Sequence, residues 1–189
     1  MKKACFLDRD GVLVEEADYL ADPNKAVLID GAAEAVKKLR ENSFTVIVVS
    51  NQSGIARGYF SEETLSLINK RIAELLAESG AAVDAWYHCP HHPDGKIECY
   101  KTECSCRKPA PGMILRAAEE YNISLSKSAM IGDKKSDIEA GFNAGCRIGI
   151  LVSTGYGAEG IPDSMPRDTV FKKNISDAAD YVIEILKNE

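Results

Sequence analysis

The feature that most constrains the fold is an alternation. Short apolar, β-branched runs recur along the chain, separated by stretches in which apolar residues return at helical spacing. The runs end at Leu7, Val49, His88, Ile131 and Val152. Between them, Gly31 to Asn42 carries Ala32, Ala35, Val36 and Leu39 on one helical face. Ser61, followed by Glu62 and Glu63, is a favourable start for a helix whose stripe is Leu65, Ile68, Ile72, Leu75 and Leu76, with Gly80 at its end. Pro111 suits the first position of a helix bearing Ile114, Leu115, Ala118 and Tyr121. Ile138 to Ala144 is helical in pattern, and Gly145 ends it. Thr169 to Phe171 predicts a sixth strand, and Ser176 a cap for a last helix with Ala179, Val182, Ile185 and Leu186. Phe44 to Val49 shows no polar alternation, so it reads as a strand buried on both faces. Strands alternating with helices predict an α/β fold with a mostly parallel sheet.

Length and composition bound the rest. The 189 residues suffice for one core, so residues 1–189 are expected to form a single domain. Hydrophobic residues make up 45% and charged residues 28%, with no apolar run near the roughly 20 residues a membrane span needs. Asp8 and Asp10 interrupt the first apolar run, which excludes a signal-peptide core there, so the cytoplasm is the expected compartment. A net charge of −6 argues against a broad nucleic-acid surface. Cys5 and Cys146 stand in apolar surroundings, whereas Cys89, Cys99, Cys104 and Cys106 crowd into 18 positions beside all three histidines. In a reducing compartment such a cluster reads as a metal site rather than a disulfide framework.

Polar residues collect at the predicted strand ends. Asp8 and Asp10 follow the first run and Ser50 the second, Arg107 and Lys108 lie beyond the third, and Asp133 and Asp137 follow the fourth. In a parallel sheet these ends share one edge. Carboxylates there suit Mg²⁺, a hydroxyl and a lysine suit phosphate oxygens, and a carboxylate can act as nucleophile. Cys89-Pro90-His91 and Cys104-Ser105-Cys106, twelve residues apart, pair thiolates with an imidazole as a four-coordinate Zn²⁺ site does. His88, His92 and Cys99 are spare candidates around it.

In order and wording these pieces resemble the haloacid dehalogenase-like phosphohydrolases. The match is Asp8-Arg9-Asp10-Gly11-Val12, Val49-Ser50-Asn51, Arg107-Lys108-Pro109 and Gly132-Asp133-Lys134-Lys135-Ser136-Asp137, and it extends from about residue 3 to residue 155. The remainder reads as finishing structure. The resemblance implies a three-layer, Rossmann-like fold without a large cap domain, and a zinc-pinned loop over residues 88–107. It implies Asp8 as nucleophile, Asp10 as general acid and base, and Ser50 and Lys108 as holders of the phosphoryl group. Mg²⁺ would be bound by Asp8, the backbone carbonyl of Asp10 and Asp133, with Asp137 supporting its helix rather than ligating. A structural Zn²⁺ would take Cys89, His91, Cys104 and Cys106.

The cysteine loop ahead of Arg107-Lys108-Pro109 resembles a narrower subgroup, which holds heptose bisphosphate phosphatases and histidinol-phosphate phosphatases. The run Ser50 to Phe60 is similar to the heptose enzymes, which implies removal of the C7 phosphate from D-glycero-D-manno-heptose 1,7-bisphosphate. The alternatives are a histidinol-phosphate phosphatase, a polynucleotide-end phosphatase, or a binding module without turnover. By the same resemblance Glu16, Tyr19, Ser50, Asn51, Gln52, Ser53, Arg107, Lys108 and Lys134 would contact a small phosphosugar. Arg57 could serve as a pocket cation, but an exposed turn is the expectation for it. No membrane or nucleic-acid partner is expected, and the molecule is expected to be a monomer.

Overall fold

In the computed structural model, which describes residues 1–162 and 164–187, six strands build one sheet. Position 163 and the last two positions of the expected 1–189 span lie outside the described residues. The strands are β1 (Lys3–Leu7), β2 (Phe44–Asn51), β3 (Ala85–Cys89), β4 (Ala129–Gly132), β5 (Ile148–Val152) and β6 (Thr169–Lys172). The helices are α1 (Ala32–Glu41), α2 (Glu62–Glu78), α3 (Gly112–Tyr121), α4 (Lys135–Ala144) and α5 (Ile175–Leu186). All pairings are parallel, in the order β3-β2-β1-β4-β5-β6. The chain winds outward from β1 through β2 to β3, then returns to the other side of β1 with β4. That reversal opens a crevice at the carboxyl ends of β1 and β4, where α/β sheets bind ligands.

Successive strand residues face opposite layers, and the two cores divide accordingly. Cys5, Leu7, Val46, Val48 and Ile131 pack with Val36 and Leu39 of α1, Ile68 and Ile72 of α2, and Val182 of α5. Phe6, Ile47, Val49 and Met130 pack instead with Met113, Ile114 and Ala117 of α3 and Ala140 of α4. Helices on both faces of a doubly buried sheet make the three layers, as the unalternating run in β2 implies. Among the described residues no helix is long and apolar enough to cross a membrane.

Several boundaries differ from expectation, each for a local reason. β3 runs from Ala85 to Cys89 rather than Val83 to His88, set by its register with Ile47 to Asn51 of β2. Pro111 is the residue before α3, not its first, and Leu115 is 45% exposed on the outer face. The final helix is capped by Asn174, whose side chain accepts the Asp177 N–H at 2.9 Å. Ser176 lies within that helix with its hydroxyl towards the Gly31 carbonyl, and Ile185 is 41% exposed. α4 starts at Lys135, before the apolar pattern begins, because the Asp137 carboxylate accepts the Lys134 N–H at 3.0 Å. Ser61 caps α2 as expected, accepting the Thr64 N–H at 3.2 Å.

Over the crevice rise the connection from β1 to α1 and the cysteine-containing connection from β3 to α3. Neither contains more than three-residue helical turns, at Pro23–Lys25 and Glu98–Tyr100, so among the described residues no large cap covers the site.

Candidate active site

Asp8 leaves the end of β1 into the crevice and is buried. Its Oδ1 accepts the Arg9 N–H at 2.8 Å and lies 2.9 Å from Lys108 Nζ. The same ammonium reaches Asp137 Oδ1 at 2.8 Å and donates to the Val49 carbonyl at 2.8 Å. Its three protons are therefore directed at three acceptors. Burial alone would lower the Lys108 proton affinity, but the Asp137 and Asp8 carboxylates outweigh it and keep the side chain charged.

Asp133, from the end of β4, is 2% exposed. Its Oδ2 accepts the Tyr156 N–H at 2.9 Å, while its Oδ1 is buried with no hydrogen-bond partner. Burial, with Asp8 and Asp137 nearby, pushes its carboxyl pKa up to about 8. Gly11 turns the chain beneath it at φ +77°, and a Cβ there would stand 2.3 Å from Asp133 Oδ2. Ligand oxygens of Asp8, Asp133 and Asp137 lie within 4.8 Å of one another. Three buried carboxylates with one orphaned oxygen fit a hard divalent cation with oxygen ligands.

Ser50 and Asn51 end β2. The Asn51 amide donates to the Lys108 carbonyl and its oxygen accepts the Lys108 N–H, each at 3.0 Å, which splints the lysine segment to the sheet. Gln52 Nε2 donates to Ser50 Oγ at 2.7 Å and to Asp10 Oδ2 at 3.0 Å. A cavity of about 510 Å³ brings together Asp8, Asp10, Glu16, Tyr19, Ser50 to Ser53, Arg107, Lys108 and Lys134. Asp133 underlies it rather than lining it. Lys134 Nζ stands 3.7 Å from Glu16 Oε2 and 3.9 Å from the centre of the Tyr156 ring. Burial raises the Glu16 proton affinity, and Lys134 partly offsets this. Tyr19, in the left-handed region at φ +70°, packs edge-on against Tyr59 with ring centres 4.8 Å apart.

The expectation of an exposed-turn Arg57 is overturned. The turn doubles back through the Arg57 N–H to Ser53 carbonyl bond of 3.0 Å, and Arg57 joins the cavity wall 3.1 Å from His92 Nε2. Sequence reasoning also missed Arg9, Asp18, His92 and Tyr156, all of which line the cavity. Tyr156 follows β5, in the part read as finishing structure, and no local pattern marks it.

At the mouth of β3, Cys89 Sγ lies 3.5 Å from Cys104 Sγ and 3.7 Å from His91 Nδ1. Cys106 Sγ lies 3.2 Å from Cys104 Sγ and 3.5 Å from His91 Nδ1. Sulfurs each about 2.3 Å from a tetrahedral zinc would be separated by about 3.8 Å, so the donor set fits that ion. Burial opposes ionisation of Cys104, but hydrogen bonds from Cys106 and Cys89 and from backbone amides prevail and bring its pKa down to about 7. The spare candidates stand apart: Cys99 is exposed, His88 faces Glu62 at 3.7 Å, and His92 Nδ1 accepts the Asp94 N–H at 3.0 Å. Beside the cluster, Arg107 Nη1 donates to the His91 carbonyl at 3.3 Å, linking the loop to the cavity.

Comparison with known proteins finds relatives over most of the chain. Residues 5–91 match a family described as haloacid dehalogenase-like hydrolase, and residues 105–184 match a HAD-hydrolase-like family. The chain is 43% identical to the D-glycero-β-D-manno-heptose-1,7-bisphosphate 7-phosphatase of Haemophilus influenzae over 82% of its own length and 84% of the relative's. It is 39% identical to the enzyme of that name from Vibrio cholerae, over 98% and 99% of the two chains. The crystal structure of D,D-heptose 1,7-bisphosphate phosphatase from B. bronchiseptica, complexed with magnesium and phosphate, superposes with a TM-score of 0.85. That alignment has 34% identity and covers 97% of this chain and 99% of that one.

Proposed function

The chain belongs to the heptose 1,7-bisphosphate 7-phosphatases of the haloacid dehalogenase-like hydrolases, and from that membership we propose how its residues act. It removes the C7 phosphate of D-glycero-D-manno-heptose 1,7-bisphosphate. The observation that carries the reading is the Asp8–Lys108–Asp137 array beside the orphaned Asp133 oxygen, at the floor of a cavity of sugar-phosphate size.

Asp8 attacks phosphorus with a carboxylate oxygen, forming an aspartyl-phosphate as the bond to the C7 oxygen breaks. Asp10 protonates the departing oxygen, then takes a proton from the water that hydrolyses the intermediate. Lys108 and the Ser50 hydroxyl hold phosphoryl oxygens. Asp8, Asp133 and the Asp10 backbone carbonyl would hold Mg²⁺, which supplies positive charge against the nucleophile and phosphoryl oxygens. Asp137 is the support for this set: one oxygen anchors Lys108 and the other caps α4. Glu16, Tyr19, Asn51, Gln52, Ser53, Arg107 and Lys134 surround the sugar.

Cys89, His91, Cys104 and Cys106 would hold a structural Zn²⁺, since four protein ligands leave no open position. The cross-link restrains the loop that delivers Arg107 and Lys108. We read residues 1–189 as one catalytic domain, working as a monomer in the cytoplasm on a small phosphosugar.

Phosphate release from both C1 anomers of the heptose bisphosphate, measured beside histidinol phosphate, tests the assignment. Turnover of a heptose bisphosphate should greatly exceed that of histidinol phosphate, and the reverse ranking overturns the substrate.

A further inference from the structure

The residue between the two motif aspartates is among the largest fully buried side chains of the described residues, and it is an arginine. Arg9 has a side chain 2% exposed, and its guanidinium is directed at the carboxylate beside it. Nε and Nη2 meet Asp10 Oδ1 at 3.1 and 2.9 Å, and Nη2 also meets Oδ2 at 2.9 Å. Nη2 further reaches Gln52 Oε1 at 3.2 Å, and Nη1 reaches Asn69 Oδ1 in α2 at 3.3 Å. The Gln52 amide cannot be reversed, because reversal would turn its N–H groups towards the guanidinium and its oxygen towards a carboxylate. Its N–H groups close the network on Asp10 Oδ2 and Ser50 Oγ. Both Asp10 oxygens are thus gripped from the core side, while the side chain keeps 18% exposure on the cavity side.

We infer that Arg9, braced by Gln52 and by Asn69 of α2, is a positioning residue that sets the direction of the Asp10 carboxyl towards the leaving oxygen. The inference rests on the phosphohydrolase reading and deepens it, giving Gln52 the alignment of the acid in addition to its place in the cavity wall. In the first step the Asp8 oxygen forms a bond to phosphorus, and the bond from phosphorus to the sugar oxygen breaks. The electron pair stays on that oxygen, which takes the proton from Asp10. An alkoxide is a poor leaving group and needs that proton at a defined position, whereas p-nitrophenolate departs without it. A two-oxygen grip restrains rotation of the carboxyl, and a lysine in the same place supplies charge without the fork.

The test is kcat/KM for the heptose bisphosphate and for p-nitrophenyl phosphate in wild type, Arg9→Lys and Asn69→Ala, with thermal unfolding of each. Because kcat/KM reports steps up to the first irreversible one, it isolates cleavage of the phosphate ester from hydrolysis of the intermediate. Arg9→Lys should lose about 10²-fold on the sugar substrate with little change in KM, and less than about tenfold on the aryl ester. Asn69→Ala removes only the outer brace, so a loss of a few-fold with the same bias towards the sugar substrate carries the test if Arg9→Lys does not fold. Equal losses on the two substrates, or none, overturn the positioning role while leaving the phosphatase intact. A wild type that releases phosphate from neither substrate overturns the phosphohydrolase reading and this inference with it.

Discussion

At the scale of single residues, the site concentrates negative charge that the isolated chain does not balance. Asp8 and Asp137 share the Lys108 ammonium, whereas Asp133 is buried with only Lys134 as a nearby cation and keeps an unsatisfied oxygen. Such an arrangement trades stability for cation binding. Asp133→Asn should therefore melt slightly above wild type in the presence of a chelator, by roughly 2–4 °C for about 1 kcal/mol, and should lose the rise that Mg²⁺ gives wild type. Calorimetry with and without Mg²⁺ reads both effects, and a lower melting point without metal contradicts the charge argument. The two motif aspartates separate by chemistry. Asp8→Asn should leave no phosphate release above background, since an amide is no nucleophile here. Asp10→Asn should lower kcat by about 10²–10⁴-fold while the fold persists. Phosphate-release assays check both, and full activity in Asp8→Asn would remove it as the nucleophile.

At the scale of elements, the connection from β3 to α3 has little regular structure of its own, and the cluster at Cys89, His91, Cys104 and Cys106 is where the proposed zinc would pin it. Stripping zinc should lower the melting temperature and raise KM, because Arg107 and Lys108 stand at the loop's end. Removing Mg²⁺ should stop turnover while forgoing only the small rise in melting temperature that the ion gives, well short of the loss on stripping zinc. Parallel thermal scans and assays after selective chelation distinguish the two, and unchanged melting after complete zinc removal contradicts the structural role. The start of α2 supplies an independent check on local energetics. Ser61→Ala removes the acceptor for the Thr64 N–H and should destabilise the protein by about 1 kcal/mol in denaturant unfolding, without touching activity.

At the scale of the whole molecule, the six cysteines report separate layers of the fold. Cys5 and Cys146 lie in the interior, where burial raises both thiols, Cys146 to about 12. Cys99 is exposed on the loop. A thiol reagent applied to the zinc-loaded native protein should modify Cys99 alone. Chelation should release Cys89, Cys104 and Cys106, and Cys5 and Cys146 should react only on unfolding. Mass spectrometry of the labelled peptides follows this order, and early modification of Cys5 would contradict the packing.

In the sequence itself, near neighbours encode the alternation of layers, the motifs at the ends of β1, β2 and β4, the Arg107-Lys108 motif ahead of α3 and the metal-ligand spacing. Period-two and helical repeats select elements, and donors two residues apart can share one ion. Helix starts were legible where a side chain caps the next turn, as at Ser61. They were misread where two capping residues compete, as at Asn174 and Ser176. Tertiary structure alone decided that Tyr156 would hold Asp133 across the crevice and that Arg57 would turn inward. It also decided that Arg9 would be enclosed by Gln52 and Asn69. Those contacts join segments far apart in the chain, and their geometry follows from parallel register and the crossing of loops over the sheet edge. The aspartate pair was readable as a catalytic motif; the buried guanidinium that aims its second member became visible only when α2 packed beside it.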